Sequence, residues 1–240
     1  MRPRIAIPVP HSTDAEYARR ALPQYERAVD QAGGEPVRIP LDRAIPEVQN
    51  MAQHCDAVLL PGSRADVDPQ KYRAVRDLKT ADADPSRHSL DEFLLQNAFE
   101  QRKPVLGICY GLQSLNVYRS GSLVQHIEST INHEAGRKVA VAHDVVVDAG
   151  SRLAEILTQA HADPTRLPVN SSHHQSADAV GKGLRIVARC PQDGIVEALE
   201  GTDPDHFVLA VQWHPERSID DDDPSRAIFR ALVEAAKKNA

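Results

Sequence analysis

The sequence feature that most restricts the fold is a cysteine between a short apolar run and a helix-like segment. Residues 105–108 predict a buried strand, Cys109 follows directly, and a helix is predicted over roughly 111–119. Gly107 and Gly111 flank the cysteine two residues away on either side, which leaves room for a tight strand-to-helix turn. Such a corner lies at the carboxyl end of a parallel strand, where open α/β sheets place their ligands.

Strand and helix signals alternate along the first half of the chain. Short apolar runs predict strands at 5–9, 37–40, 56–60 and 105–108. Helical spacing of apolar residues predicts helices at 14–32, 46–53, 89–102 and 111–119. Residues 62–88 predict a long loop with one helical turn. This alternation predicts parallel pairing of the strands with right-handed crossovers.

The second half is less regular. Alternation of β-branched residues predicts strands at 139–147, 184–189, 194–198 and 207–212, which would add an antiparallel extension to the sheet. A last helix is predicted with Asp223 as its N-cap and Pro224 as its first residue. Because no repeat or linker interrupts the chain, residues 1–240 predict one α/β domain with a central, mostly parallel sheet and helices on both faces.

Composition excludes several classes of protein. The formal net charge is −6, so a nucleic-acid partner, which needs clustered Lys and Arg, is not expected. No apolar run is long enough to span a membrane, and none of signal-peptide length precedes the first strand. The cysteine count of three favours free thiols in a reducing compartment, the cytoplasm, over a disulfide framework.

The corner cysteine is a candidate nucleophile. The exposed N–H groups of a helix N-terminus favour a thiolate, so the pKa of Cys109 is expected to be lowered. The strand-like segment 207–212 leads to His214 and Glu216, which can reach one side of an extended chain. His214 could then act as a base toward the thiol while Glu216 holds its far nitrogen, an arrangement that suits acyl transfer through a thioester.

Acyl transfer also needs hydrogen-bond donors for the oxyanion. The main-chain N–H of Tyr110, at the helix start, is one candidate, and the turn at 61–64 after the third strand offers another. Each of these candidate catalytic residues could instead have a purely structural role. Cys109 taken alone could be a buried structural cysteine, which is the interpretation we adopt for Cys55 and Cys190.

Together these residues resemble the class I glutamine amidotransferase-like superfamily. Within it the match is closest to the γ-glutamyl hydrolase branch, which includes the γ-glutamyl-γ-aminobutyrate hydrolases. The resemblance rests on 107–113 and 214–216, and on further segments in the family's order: 60–63, 65–69, 103–106, 114–117, 122–125, 169–175 and 193–198. Of these, the Asn-Ser-x-His-His-Gln segment at 170–175 is the most specific to the branch.

The resemblance implies a flavodoxin-like core, no metal or organic cofactor, and hydrolysis of a γ-glutamyl amide through a γ-glutamyl thioester. It implies Cys109 as nucleophile, His214 as general base and acid, and Glu216 as the residue that orients the histidine. The main-chain N–H groups of Ser63 and Tyr110 would bind the oxyanion. Ser63 stands where the family usually has a second glycine, and Tyr110 where the branch commonly has Arg.

A further set of residues is expected to bind the substrate: Gly62, Gln113, His173, His174 and Gln175. The histidine count of 11 also raises the question of a metal site. Because adjacent side chains diverge, 173–174 cannot easily chelate one ion, and His126, His133 and His143 lack ligand spacing. No metal is therefore expected from the sequence.

Three functions stay open. A stand-alone hydrolase of a small γ-glutamyl amine or peptide is favoured by residues 173–175 and by the absence of a synthase-like domain within these 240 residues. The alternatives are a glutaminase subunit that delivers ammonia to a separate synthase, and a non-catalytic binding protein of the same fold. The expected partner is a small-molecule γ-glutamyl substrate, with no nucleic acid and no membrane, and a homodimer is kept as a hypothesis.

Overall fold

The structure is a computed structural model that describes residues 1–239; Ala240, the last residue of the predicted domain, lies outside the described residues. Within this range the strands β1–β11 are Arg4–Pro8, Glu35–Ile39, Ala57–Leu60, Val105–Ile108, Leu123–Val124, His143–Val147, Leu167–Val169, Ser176–Ala177, Leu184–Arg189, Val196–Gly201 and Val208–Val211. The helices α1–α6 are Ala15–Gln31, Ile45–Gln53, Pro85–Glu100, Tyr110–Tyr118, Arg152–Gln159 and Asp223–Asn239.

A nine-stranded sheet in the order β2-β1-β3-β4-β11-β10-β9-β6-β7 runs through the protein. The strands from β2 to β11 pair in parallel, and those from β10 to β7 add antiparallel pairs. A separate small sheet pairs β5 with β8. The predicted mostly parallel sheet with an antiparallel extension is confirmed.

Helices cover both faces of the parallel strands. Side chains of α1, α5 and α6 pack into one buried apolar cluster, and those of α2, α3 and α4 pack into another. Successive residues of β1 alternate between the clusters, with Ile5 and Ile7 on one side and Ala6 on the other. A strand buried on both faces must be apolar throughout, which is why these strands appear as short apolar runs in the sequence.

The third helix begins earlier than the sequence predicts. The Asp84 side chain accepts the Arg87 N–H at 3.0 Å, and Pro85 takes the first helical position, where its missing N–H costs nothing. The predicted loop 62–88 therefore ends at Asp84, and its one helical turn is the 3₁₀ turn Pro69–Tyr72.

Other boundaries also differ. The Asp222 carboxylate accepts the Ser225 N–H at 2.8 Å, so Asp222, not the predicted Asp223, is the N-cap of α6. The strand expected over 139–147 begins only at His143. The sequence prediction also missed α5, β5, β7 and β8, which are all short. No helix within residues 1–239 has both the length and the apolar character needed to cross a membrane.

Candidate active site

Cys109 lies at the turn between β4 and α4 in a strained conformation. Its φ of 53° and ψ of −105° fall in a region that residues with a side chain rarely adopt. Its N–H donates to the Val211 carbonyl of β11 at 2.8 Å, and its carbonyl accepts the Leu112 N–H at 3.0 Å. These bonds hold the corner in place, and the strained turn that the sequence predicts is present.

Two glycines allow α4 to approach the sheet this closely. A Cβ built on Gly111 would overlap the main-chain carbonyl of Leu60 in β3. A Cβ built on Gly107 would lie 2.8 Å from the carbonyl carbon of Gly111. Both obstacles are backbone atoms, which cannot rotate away as a flexible side chain can. A larger residue at either position would therefore push α4 off the sheet.

His214 and Glu216 follow β11, the neighbouring strand. His214 Nδ1 lies 2.8 Å from Glu216 Oε1, and both side chains are buried. His214 Nε2 has no hydrogen-bond partner within residues 1–239. A Cβ built on Gly62 would lie 3.0 Å from His214 Cε1 and 3.6 Å from Cys109 Cβ. The imidazole and the thiol thus face the same point at the edge of the sheet.

The protonation state of the thiol differs from the expectation. Burial raises the pKa of Cys109 to about 12, although Arg217 and the Tyr110 N–H act in the opposite direction. Burial also lowers the pKa of His214, against the raising effect of Glu216. The resting pair is therefore a neutral thiol beside a neutral imidazole. The lowered thiol pKa predicted from the helix N-terminus is wrong, because burial outweighs the hydrogen bond from the Tyr110 N–H.

The predicted oxyanion donors lie at two neighbouring strand ends. The Tyr110 N–H, at the start of α4, is directed at the Cys109 thiol. In the turn after β3, the Gly62 N–H donates to the Tyr25 hydroxyl at 3.1 Å. The next N–H, that of Ser63, has no protein acceptor within the described chain. Ser63 is not among the non-glycine residues with positive φ, so it replaces the expected glycine without backbone strain.

Arg87 holds the strand ends around this corner and was missed in the sequence analysis. Its fully buried guanidinium donates to the carbonyls of Pro10 at 3.1 Å and Pro61 at 2.7 Å. It pairs with Asp91 at 2.7 Å and lies 4.9 Å from the centre of the Tyr110 ring. One side chain therefore fixes the turns after β1 and β3 and the first residue of α4. The Arg–Asp spacing of four residues was no signal at the sequence level, because the predicted helix began at 89 and left Arg87 in a loop, whereas the observed helix begins at Pro85.

Asn170 holds the main chain of His214. Its Nδ2 donates to the His214 carbonyl at 2.9 Å, and its Oδ1 accepts the His214 N–H at 3.0 Å. A weaker contact of 3.3 Å reaches the Ser218 hydroxyl. Asn170 belongs to the segment that carries the family resemblance, yet its contact with a residue 44 positions away could not be inferred from the sequence.

Three of the predicted substrate-binding residues lie close to the corner. Gly62 borders both Cys109 and His214. Gln113 donates to the Gln175 carbonyl at 3.2 Å, and the Gln175 amide donates to the Gln125 carbonyl at 2.9 Å. The two glutamine side chains are buried and hydrogen-bonded within the protein. Their contact with substrate stays a prediction.

The adjacent histidines face different ways, as expected from their positions in the chain. His174 Nε2 lies 3.0 Å from the Asp66 carboxylate. His173 Nδ1 lies 2.9 Å from the Gln175 carbonyl, and its Nε2 points toward Glu197 at 3.6 Å. Both ring nitrogens of His173 are thus directed at protein groups, and a role for either histidine in substrate binding stays a prediction.

One group of buried residues could hold a metal ion. It places four ligand atoms within 4.8 Å of one another, from His133, His143, His173 and Glu197. The search for metal-ligand spacing along the sequence missed this group, because its members come from four separate segments. Folding, rather than proximity along the chain, brings them together.

Comparison with known proteins identifies related sequences and folds. The model of the peptidase C26 family matches residues 7–216. A Mycobacterium tuberculosis protein provisionally named a glutamine amidotransferase is 39% identical over 216 residues, which are 88% of this chain and 66% of that protein, just under two thirds of its length. A γ-glutamyl-γ-aminobutyrate hydrolase of Escherichia coli O157:H7 is 34% identical over 224 residues, 89% of this chain and 85% of the relative.

Solved structures show the same fold. The CTPS glutaminase domain of Trypanosoma brucei, with bound acivicin, gives a TM-score of 0.66 at 19% sequence identity. The likeness covers 98% of this chain and 94% of that domain. It confirms the predicted flavodoxin-like fold.

The first prediction concerns the contact between α4 and β3. We expect Gly111→Ala to destabilise the protein by about 1–3 kcal/mol or more, because the added methyl group meets the Leu60 carbonyl. Thermal unfolding followed by circular dichroism measures the change. Gly150→Ala is the control, since its Cβ would meet only Asp148 Oδ1 at 3.8 Å, an ordinary van der Waals contact. Equal stabilities of the two variants would contradict the close contact.

The second prediction concerns Asn170 as a positioning residue. We expect Asn170→Ala to slow alkylation of Cys109 by iodoacetamide about tenfold or more, because a displaced imidazole no longer takes the thiol proton efficiently. Mass spectrometry of the intact protein measures the rate. Ser218→Ala removes the weaker contact of Asn170 but leaves both bonds to His214, so it should react like the native protein. An unchanged rate in a folded Asn170→Ala variant would refute the role.

Proposed function

The chain belongs to the peptidase C26 family of hydrolases, and we propose that it cleaves the γ-glutamyl amide bond of a γ-glutamyl amine or peptide to release glutamate. The observation that carries the proposal is the convergence of Cys109, His214 and Glu216 at one strained corner of the sheet. The relative named γ-glutamyl-γ-aminobutyrate hydrolase, 34% identical to this chain, supports the substrate class.

In the first half of the reaction, the Cys109 sulfur attacks the γ-carbonyl carbon. His214 Nε2 takes the thiol proton as the S–C bond forms, since both groups are neutral at rest. The resulting imidazolium then gives this proton to the amine nitrogen as the C–N bond breaks. The amine leaves, and the glutamyl group stays on the enzyme as a thioester.

Glu216 and the main chain stabilise the charges that form during this step. Burial would raise the pKa of Glu216, but His214 and Arg217 lower it, so the carboxylate stays ionised. By accepting the Nδ1–H of His214, the carboxylate keeps Nε2 free of a proton and then stabilises the imidazolium. The N–H groups of Ser63 and Tyr110 are the proposed donors to the tetrahedral oxyanion.

In the second half, a water molecule attacks the thioester. His214 takes a proton from this water, and the returning proton restores the Cys109 thiol as the C–S bond breaks. The products are glutamate and the free enzyme. The chemistry of both steps is supplied by groups of this chain.

A glutaminase that feeds a separate synthase is the second candidate. It is favoured by the relative that is 39% identical and provisionally named a glutamine amidotransferase. The same cysteine, histidine and glutamate would then cleave glutamine and release ammonia. The two candidates differ in the leaving amine and in the need for a partner, so an assay of the isolated protein separates them.

We also propose that residues 1–240 act as one domain in a reducing compartment such as the cytoplasm. A single sheet connects strands from both halves of the chain, from β2 at one edge to β7 at the other, which supports one domain. All three cysteines are unpaired thiols, which supports the compartment.

The third prediction is Cys109-dependent release of glutamate. A panel of γ-glutamyl amines, γ-glutamyl peptides, polyglutamylated folate and glutamine is incubated with the purified protein, and glutamate is measured. We expect turnover of at least one γ-glutamyl amine or peptide well above that of glutamine. Cys109→Ala should reduce it by at least about 10³-fold, because the nucleophile is lost.

Cys190→Ala is the matched control, because Cys190 is a buried thiol whose sulfur contacts Gln192. It should keep the native rate. Release from glutamine alone would favour the glutaminase candidate instead. Persistent turnover by Cys109→Ala would exclude Cys109 as the nucleophile, and a folded protein that releases glutamate from no compound would argue for a binding protein.

The fourth prediction is the pH dependence of kcat/KM. His214 must be neutral to accept the thiol proton, so the rate rises with pH through the pKa of this residue and then levels off. Burial lowers that pKa below its usual 6.5, so the midpoint of the acid limb should lie below pH 6.5. Because Glu216 raises the His214 pKa, Glu216→Gln should move this midpoint further down and lower kcat. A midpoint above pH 6.5 in the native enzyme would contradict this assignment.

A further inference from the structure

Four side chains from distant parts of the chain converge beside the proposed active site. His133 lies in the loop before β6, His143 begins β6, His173 lies between β7 and β8, and Glu197 belongs to β10. Their exposed fractions are 2%, 7%, 4% and 0%. Three imidazoles and a carboxylate are therefore enclosed by protein on all sides.

Three of the distances between the inward atoms are close to those of a tetrahedral coordination shell. Glu197 Oε1 lies 3.3 Å from His133 Nδ1, 3.4 Å from His143 Nε2 and 3.6 Å from His173 Nε2. Zinc bound at about 2.0–2.1 Å in a tetrahedron separates its ligand atoms by about 3.3–3.4 Å. The three distances to Glu197 are close to this value.

The other ring nitrogen of each histidine faces an oxygen acceptor. These contacts are His133 Nε2 with Asp193 Oδ2 at 2.9 Å, His143 Nδ1 with the Asp144 carbonyl at 3.2 Å, and His173 Nδ1 with the Gln175 carbonyl at 2.9 Å. An acceptor requires the proton to be on the outward nitrogen. A neutral imidazole then presents a bare lone pair inward, which is how metal-binding histidines are oriented by their surroundings.

The inward atoms lack hydrogen-bond partners. Within residues 1–239 this holds for His133 Nδ1, His143 Nε2, His173 Nε2 and both carboxylate oxygens of Glu197. In neutral imidazoles with outward protons, these lone pairs repel the buried carboxylate, and buried polar groups in proteins are normally satisfied. A cation at the centre would turn this repulsion into attraction for all four groups.

We propose that His133, His143, His173 and Glu197 bind one divalent transition-metal ion, with Zn²⁺ as the preferred metal. Three imidazoles and a carboxylate form a ligand set that suits Zn²⁺. Because four protein ligands complete the shell and the site is closed to solvent, the ion has a structural role. It joins the loop before β6 and the segment between β7 and β8 to the central sheet.

A neighbouring group shares one ligand but fits less well. His133, Cys190 and Asp193 also lie within reach of a common ion. Asp193, however, is exposed and already accepts hydrogen bonds from Ser129 and His133, and the Cys190 thiol contacts Gln192. The four-residue group has unpaired buried atoms on every ligand and is therefore the stronger site.

The fifth prediction is measured first on the native protein. Protein purified without chelator should contain about one zinc per chain by inductively coupled plasma mass spectrometry. After the metal is removed with a chelator, Zn²⁺ at about 100 times its Kd should raise Tm by about 5–10 °C. Co²⁺ should give the visible absorption of a four-coordinate ion. None of these three measurements depends on turnover, so a failure of the metal proposal is distinguishable from a failure of the proposed hydrolase.

Variants then identify the ligands. Glu197→Gln and His143→Ala should lose the metal and the Tm response, whereas Cys190→Ser and His174→Ala should keep both. Loss of metal in Cys190→Ser with retention in Glu197→Gln would overturn the assignment in favour of the neighbouring group.

The measurements on the native protein test the metal site even if a ligand variant fails to fold. Less than about a tenth of an equivalent of metal, with no Tm response to Zn²⁺ and no Co²⁺ spectrum, would overturn it. Ion pairs of a protonated His133 with Asp193 and Glu197 would then hold the cluster together.

Discussion

The close contact between the backbones of α4 and β3 is the constraint on which the site depends. Gly111 allows the helix to reach the Leu60 carbonyl, and at this separation the chain turns from β4 into α4 within one residue. Cys109 takes the strained φ that this turn requires. The thiol, the Tyr110 N–H and the turn after β3 are then brought to one edge of the sheet by the main chain itself, which is stiffer than any side chain.

Buried polar side chains fix the positions of the strand ends at this edge. Arg87 ties two strand-end carbonyls together, and Asn170 holds the N–H and the carbonyl of His214. Removing either partner would leave buried main-chain groups without a hydrogen bond, which costs about 1–3 kcal/mol for each group. The same bonds that stabilise the fold therefore set the position of the catalytic candidates, so stability and geometry are difficult to change separately.

The sequence predicted those features that depend on neighbours in the chain. The apolar strands, the corner at Cys109 and the pairing of His214 with Glu216 are of this kind. Features that depend on the folded surroundings were missed. Burial raises the pKa of Cys109 against the hydrogen bond from the Tyr110 N–H at the start of α4. Asn170 and His214, 44 positions apart, come together only in the folded chain.

The histidine cluster also forms only in the folded chain, and it lies next to the segment that positions His214. Along one short segment, Asn170 holds His214 while His173 faces Glu197. The His133 carbonyl accepts the His173 N–H and the Ser171 hydroxyl, so the loop before β6 is fastened to this segment as well. Under the proposed metal site, an ion at the cluster would hold the far end of the segment whose near end positions His214. Its contribution to catalysis would be indirect, through the fixed position of the imidazole, since the four ligand atoms lie within 4.8 Å of one another.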